Sequence, residues 1–121
     1  MKLALTVNKQ ADNPKLDRRF GRCSYFLVVD TETQKRAFLS NPGVDSERGA
    51  GTQAAQYLVN ESVEAVISGH FGPNAYSVLD AAGIQMFAAN EGQVDSLLAD
   101  FHTGKLPHAV SQDGHRRGRR R

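Results

Sequence analysis

Between Val63 and Tyr76 the chain reads VEAVISGHFGPNAY. Val63, Ala65, Val66 and Ile67 form a short apolar run with little alternation, the pattern of a strand covered on both faces. Ser68, Gly69 and His70 leave the strand end. Gly72-Pro73 then breaks the chain, and Pro73 suits the first position of a helix, where a missing N–H costs nothing. Small and polar groups thus stand at the carboxyl end of a central strand, beside a helix N-terminus. In open α/β sheets ligands bind in that crevice, and the unpaired N–H groups there favour anions. The same residues also read as a tight βα turn with no further purpose. Both readings stand at this level.

Upstream, Met1–Asn8 carries Leu3, Ala4, Leu5 and Val7 and predicts a mostly buried strand. It is too short for a signal peptide and reads as a strand, so a cytoplasmic location is expected. Asn8–Pro14 is polar and ends in Asn-Pro, a loop. Asp17–Cys23, DRRFGRC, sets Phe20 among Arg18, Arg19 and Arg22. It predicts a loop that tucks Phe20 into the core, with Gly21 allowing a positive φ or a close backbone approach. The arginines are either solvated or form a clamp for an anionic ligand, since their forks match carboxylates and phosphates. Ser24–Thr31 is rich in aromatic and β-branched residues and predicts a strand. The polar turn Asp30–Gln34 returns it as a second strand over Lys35–Ser40, making a hairpin and a free sheet edge.

Asn41–Gly51, NPGVDSERGAG, is a loop. Thr52–Asn60 follows as a helix with Ala54, Ala55, Leu58 and Val59 on one face. Gly49-Ala50-Gly51-Thr52 at its start lacks the lysine of a P-loop and the three-glycine spacing of a dinucleotide fingerprint. Its N–H groups remain available to an anion. Past the central strand, Asn74–Ala82 is a second helix closed by Gly83. Ile84–Ala88 is a short strand. A third helix starts at Gly92 or Gln93, with Val94, Leu97, Leu98 and Phe101 as its stripe, and Gly104 stops it. Right-handed crossovers place the fourth strand beside the first and parallel to it. The expected fold is therefore α/β: a mixed five-stranded sheet of order 3-2-1-4-5 with helices on both faces. It brings the loops carrying Asn8, Arg18–Arg22 and His70–Asn74 to one rim.

With 121 residues, 40% of them hydrophobic and 23% charged, the chain predicts one domain over residues 1–104. No stretch approaches the roughly 18 apolar residues of a membrane span. The formal charge of +2 conceals an asymmetry. Five of the last seven residues are arginines, and setting them aside turns +2 into −3 for the rest. Residues 105–121 read as a flexible basic tail, the only part suited to nucleic acid or an acidic partner. The single cysteine, Cys23, excludes an internal disulfide framework and a Cys-rich zinc or iron–sulfur site built by one chain.

Several segments together resemble the dinitrogenase iron–molybdenum cofactor biosynthesis family, which includes NifX, the C-terminal part of NifB and the NafY core. They are RFGRCSYFLVVD at Arg19–Asp30, NPG at Asn41–Gly43, GAGTQAAQYL at Gly49–Leu58 and VISGHFGPNAYSVLDAAGI at Val66–Ile84. The resemblance covers about residues 1–103. It implies a ribonuclease H-like fold and a non-catalytic protein that carries an iron–sulfur or iron–molybdenum cluster, or a precursor, between donor and acceptor proteins. A two-metal nuclease needs carboxylates on its central strands. The first strand here has none, and the fourth has only Glu64 near its beginning.

For a carrier the expected cofactor-binding residues are Arg19, Phe20, Gly21, Arg22, Gly69, His70, Gly72 and Asn74. Iron clusters take thiolate or imidazole ligands, so Cys23 and His70, the two such residues expected at the rim, are the candidate metal ligands. Cys23 equally reads as a small buried hydrophobe, and His70 as a turn residue with a satisfied hydrogen bond. The alternative function is a regulatory or scaffold domain whose rim takes a small anionic metabolite and whose tail docks a partner.

Overall fold

The computed structural model describes residues 1–46 and 48–110. Five strands, β1 (Lys2–Val7), β2 (Tyr25–Asp30), β3 (Arg36–Ser40), β4 (Ala65–Ser68) and β5 (Gln85–Ala88), form one sheet of order β3-β2-β1-β4-β5. β1 runs antiparallel to β2, and β2 to β3, whereas β1–β4 and β4–β5 are parallel. The strand order expected from the sequence is the one observed. Three helices connect it: α1 (Ala50–Asn60), α2 (Pro73–Ala81) and α3 (Val94–His102).

The alternation of side chains along each strand splits the core in two. Ala4, Phe26, Val28, Val66 and Met86 face Ala54, Ala55 and Leu58 of α1 and Ala75, Tyr76 and Leu79 of α2. Leu3, Leu5, Leu27, Val29, Ala65 and Ile67 face Val94, Leu97 and Leu98 of α3. All four residues of β4 are buried, which is why its sequence shows a continuous run instead of alternation. Each large side chain so buried contributes about 1.5–3 kcal/mol, and both faces are needed to order a chain of this size.

Most boundaries shift by a residue, and three departures from expectation have an identifiable physical reason. α1 begins at Ala50, not Thr52, because Gly49 takes a left-handed conformation (φ 70°) and its carbonyl accepts the Gln53 N–H at 2.9 Å. α3 is capped from outside its own sequence. Asn13 Oδ1 accepts the Asp95 N–H at 2.9 Å, and the Pro14 carbonyl accepts the Val94 N–H at 2.9 Å. The Asn8–Pro14 loop therefore supplies the cap that Gln93 does not.

The third difference is the tail. Expected to be free from Lys105, the chain up to Val110 instead returns along the outer edge of β5. The Ala88 N–H donates to the Pro107 carbonyl, and the Ala109 N–H to the Met86 carbonyl, each at 2.9 Å. The His108 ring stacks on Phe87 with centroids 4.6 Å apart, Leu106 packs on the α3 side of the core, and Ala109 is buried on the other. Leu106 and Ala109, too sparse for any period, hold the strap by covering an edge that would otherwise leave its N–H and C=O groups unpaired. The arginines at 116–121 lie outside the described residues. Truncation after Gly104 is expected to lower stability by about 1–3 kcal/mol relative to truncation after Val110, read from urea unfolding of the two shortened chains.

Candidate functional site

Because β1 and β4 are parallel neighbours, their carboxyl ends reach the same rim. There lie two buried hydroxyls, Thr6 one residue before the end of β1 and Ser68 at the end of β4. Thr6 Oγ1 donates to the Asp17 carbonyl at 2.6 Å and lies 2.9 Å from Ser68 Oγ. One hydroxyl proton cannot serve both contacts, so Ser68 is the donor in the second. The Asp17 N–H donates to the Thr6 carbonyl at 2.7 Å. These bonds fix the start of the DRRFGRC loop on the strand ends.

The loop then continues the sheet. The His70 N–H donates to the Arg18 carbonyl at 2.7 Å and the Phe20 N–H to the His70 carbonyl at 3.1 Å, a parallel bridge between Arg19 and His70. Two glycines permit this closeness. A Cβ on Gly69 would lie 2.7 Å from the Arg18 Cβ, and one on Gly21 would lie 2.9 Å from the Gly51 nitrogen. Of the two roles expected for Gly21, close approach is the one it fills. Phe20 is fully buried, its ring 5.5 Å from Phe26 and 5.3 Å from Phe71 between centroids.

What results is a cleft of about 350 Å³ lined by residues 19–22, 49–52 and 70–75. The N-termini of α1 and α2 both open into it. Their first intrahelical bonds are Gln53 N–H to Gly49 and Tyr76 N–H to Gly72, so the N–H groups of residues 50–52 and 74–75 have no intrahelical acceptor. Neither helix has a side-chain cap, and neither has an acidic residue in its first turn. Each therefore presents its positive dipole end, equivalent to roughly half a charge, with no acidic residue in its own first turn to offset it. Gly72 at φ 79° turns the chain from β4 into Pro73 at the first helical position.

Arg19 and Arg22 add positive charge to the wall. Arg19 Nε and Nη2 donate to Asp17 Oδ1 and Oδ2 at 3.1 and 3.0 Å. The Arg22 guanidinium donates to the Val44 and Ser46 carbonyls, tying down the loop before α1. Burial by itself would raise the Asp17 pKa, but the hydrogen bonds and charge of Arg19 outweigh it and hold the carboxyl below its ordinary value. His70 is exposed at the rim. Among the described residues, no group of three or more His, Cys, Asp or Glu side chains is placed to hold a metal ion.

Of the residues expected from sequence, Arg19, Phe20, Gly21, Arg22, His70, Gly72 and Asn74 line the cleft together. Gly69 stands behind it, against Arg18. Asn8 is not among the lining residues. Cys23 is the clear departure. It is fully buried behind Phe20, with Sγ 3.4 Å from the Phe20 carbonyl and 3.7 Å from Asn41 Nδ2. Burial and the nearby Asp17 charge push its thiol up to about 12, so the thiolate a metal would need is suppressed. Sequence reasoning missed Asn41, whose buried amide donates to the Gly21 and Cys23 carbonyls and accepts the Gly43 N–H, so that it shapes the 19–23 turn from inside. Its position in Asn-Pro-Gly was the available signal.

The thiol pKa sets an alkaline limit on stability. A thiol held neutral in the fold stabilises it fully below its unfolded pKa and progressively less as pH rises toward 12. Unfolding free energy should therefore fall between about pH 9 and 12, and Cys23→Ala should flatten that slope. Denaturant titrations of both proteins across this range give the comparison.

The model of the family described as dinitrogenase iron-molybdenum cofactor matches residues 1–104. An uncharacterized protein of Methanocaldococcus jannaschii is 35% identical over 109 residues, covering 88% of this chain and 89% of that one. Among solved structures, the apo orange protein of Desulfovibrio gigas superposes with a TM-score of 0.84 at 33% identity, covering 89% of this chain and 92% of its own. A putative NifB protein from Thermotoga gives 0.78 at 29% identity, with 88% and 91% covered. The chain belongs to the dinitrogenase iron-molybdenum cofactor family.

Proposed function

We propose that this protein binds an anionic metallocluster of iron–sulfur or iron–molybdenum type, or a precursor of one, and passes it between donor and acceptor proteins without transforming it. One observation carries the reading: two helix N-termini, with no acidic residue in their first turns and no side-chain caps, converge with Arg19 and Arg22 on a single cleft. Such a surface suits an anion in any oxidation state. Family membership and the likeness to the orange protein and a NifB-like protein point the same way. The sheet order, with an antiparallel hairpin beside a parallel pair, supports the ribonuclease H-like description.

The donor set fits a preassembled cargo better than one built in place. Among the described residues His70 is the one imidazole lining the cleft, and the buried Cys23 thiol is not part of its wall. A cluster assembled atom by atom needs several soft ligands from the protein. A cluster that arrives complete needs charge balance, N–H donors and at most one exchangeable ligand. Arg19 and Arg22 supply the charge, residues 50–52 and 74–75 the N–H groups, and His70 the ligand. Few strong bonds also permit release.

The test is anaerobic incubation with iron, sulfide and molybdate, followed by desalting, metal analysis and absorbance spectroscopy. Wild type is expected to retain metal in stoichiometric amount. His70→Ala and Arg22→Ala should each reduce retention severalfold, and Cys23→Ala should leave it unchanged. Wild-type protein that emerges free of metal would sink the carrier reading. It would favour a metabolite-binding domain if a simple oxyanion still raised the melting temperature.

A further inference from the structure

We infer that Asp17 is a positioning residue for the cleft, holding the Arg19 guanidinium in a fixed fork at its wall so that the remaining N–H donors meet the cargo already oriented. The inference rests on the carrier reading above and adds to it a residue that lines no part of the cleft.

Three observations support it. First, the Asp17 side chain is only 6% exposed, whereas that of Arg19 is 67% exposed. The carboxylate is a buried anchor, and the guanidinium is the part that reaches out. Second, the grip is threefold. Oδ1 accepts both the Arg19 backbone N–H at 2.9 Å and its Nε–H at 3.1 Å, and Oδ2 accepts from Nη2 at 3.0 Å. A bidentate fork fixes the plane of the guanidinium, which a single contact cannot do. Of five N–H donors two are used, and three remain. Third, the anchor is itself held by the sheet. The Asp17 backbone is bonded through both its N–H and its carbonyl to Thr6, and Thr6 is bonded to Ser68 at the end of β4. A buried acid bonded to the ends of two paired strands thus sets the direction of an exposed cation on a loop.

The test combines two readouts. Without any ligand, the Nε–H of Arg19 should appear in nitrogen-15 spectra as a sharp signal protected from exchange, and Asp17→Asn should abolish that protection. With the iron, sulfide and molybdate reconstitution, Asp17→Asn should lower retained metal about tenfold, as should Arg19→Gln. The double variant should fall no further than either single one, because both act through the same fork. Arg19→Lys, an exposed change that keeps the charge and lets the chain fold, should lose as much as Arg19→Gln. Additive losses, or full retention by Arg19→Lys, would overturn the positioning role. Wild type that keeps a protected Arg19 signal but retains no metal would overturn the carrier reading alone. An unprotected Arg19 signal with metal retained would overturn this inference alone.

Discussion

Parallel pairing of β1 with β4 is the constraint on which the rest depends. It brings Thr6 and Ser68 to the same level of the sheet and leaves two hydroxyls buried with each other. Buried hydroxyls are costly unless bonded. Here their bonds go to the chain that will form the cleft wall, through the Asp17 carbonyl. The polar end of an otherwise apolar sheet thereby becomes the foundation of the site.

From that foundation the cleft is built by exclusion of side chains as much as by their presence. Gly69 lets Arg18 lie against the strand exit, and Gly21 lets the loop touch Gly51 at the start of α1. Gly51 in turn stands against Ala75, so the first turns of α1 and α2 meet almost backbone to backbone. Bulkier residues at these places would hold the two N-termini apart. The dipole ends would then face solvent separately, each weakly. Small residues at three contacts concentrate the field in one place.

The apolar parts serve the same arrangement. Phe20 is surrounded by charged neighbours in sequence yet fully buried, wedged between Phe26 of β2 and Phe71 of the strand exit. It pins the loop, so that Arg19 and Arg22 on either side of Gly21 are turned outward. Asn41 completes the turn from within, its amide donating to the Gly21 and Cys23 carbonyls. A thiol in that position fills space under the loop, which is a packing role consistent with its raised pKa.

Much of this was legible in the order of residues. Periodicity separated strands from helices, and the chirality of crossovers then left essentially one sheet order. Gly72-Pro73 announced a helix N-terminus at a strand end, and the RFGR segment announced a loop with an apolar anchor and outward arginines. These signals are local, written in the period and conformational limits of neighbouring residues. The depth of Cys23, the inward reach of Asn41, the capping of α3 by Asn13 and the grip of Asp17 on Arg19 were not legible in the same way. Asp17 and Arg19 are two residues apart, but only the burial of one and the exposure of the other gives the pair its meaning. Leu106 and Ala109 gave no period, yet an open edge on β5 drew them in. Burial and partner choice depend on which distant segments arrive at the same place, and that is fixed only when the sheet closes against its helices.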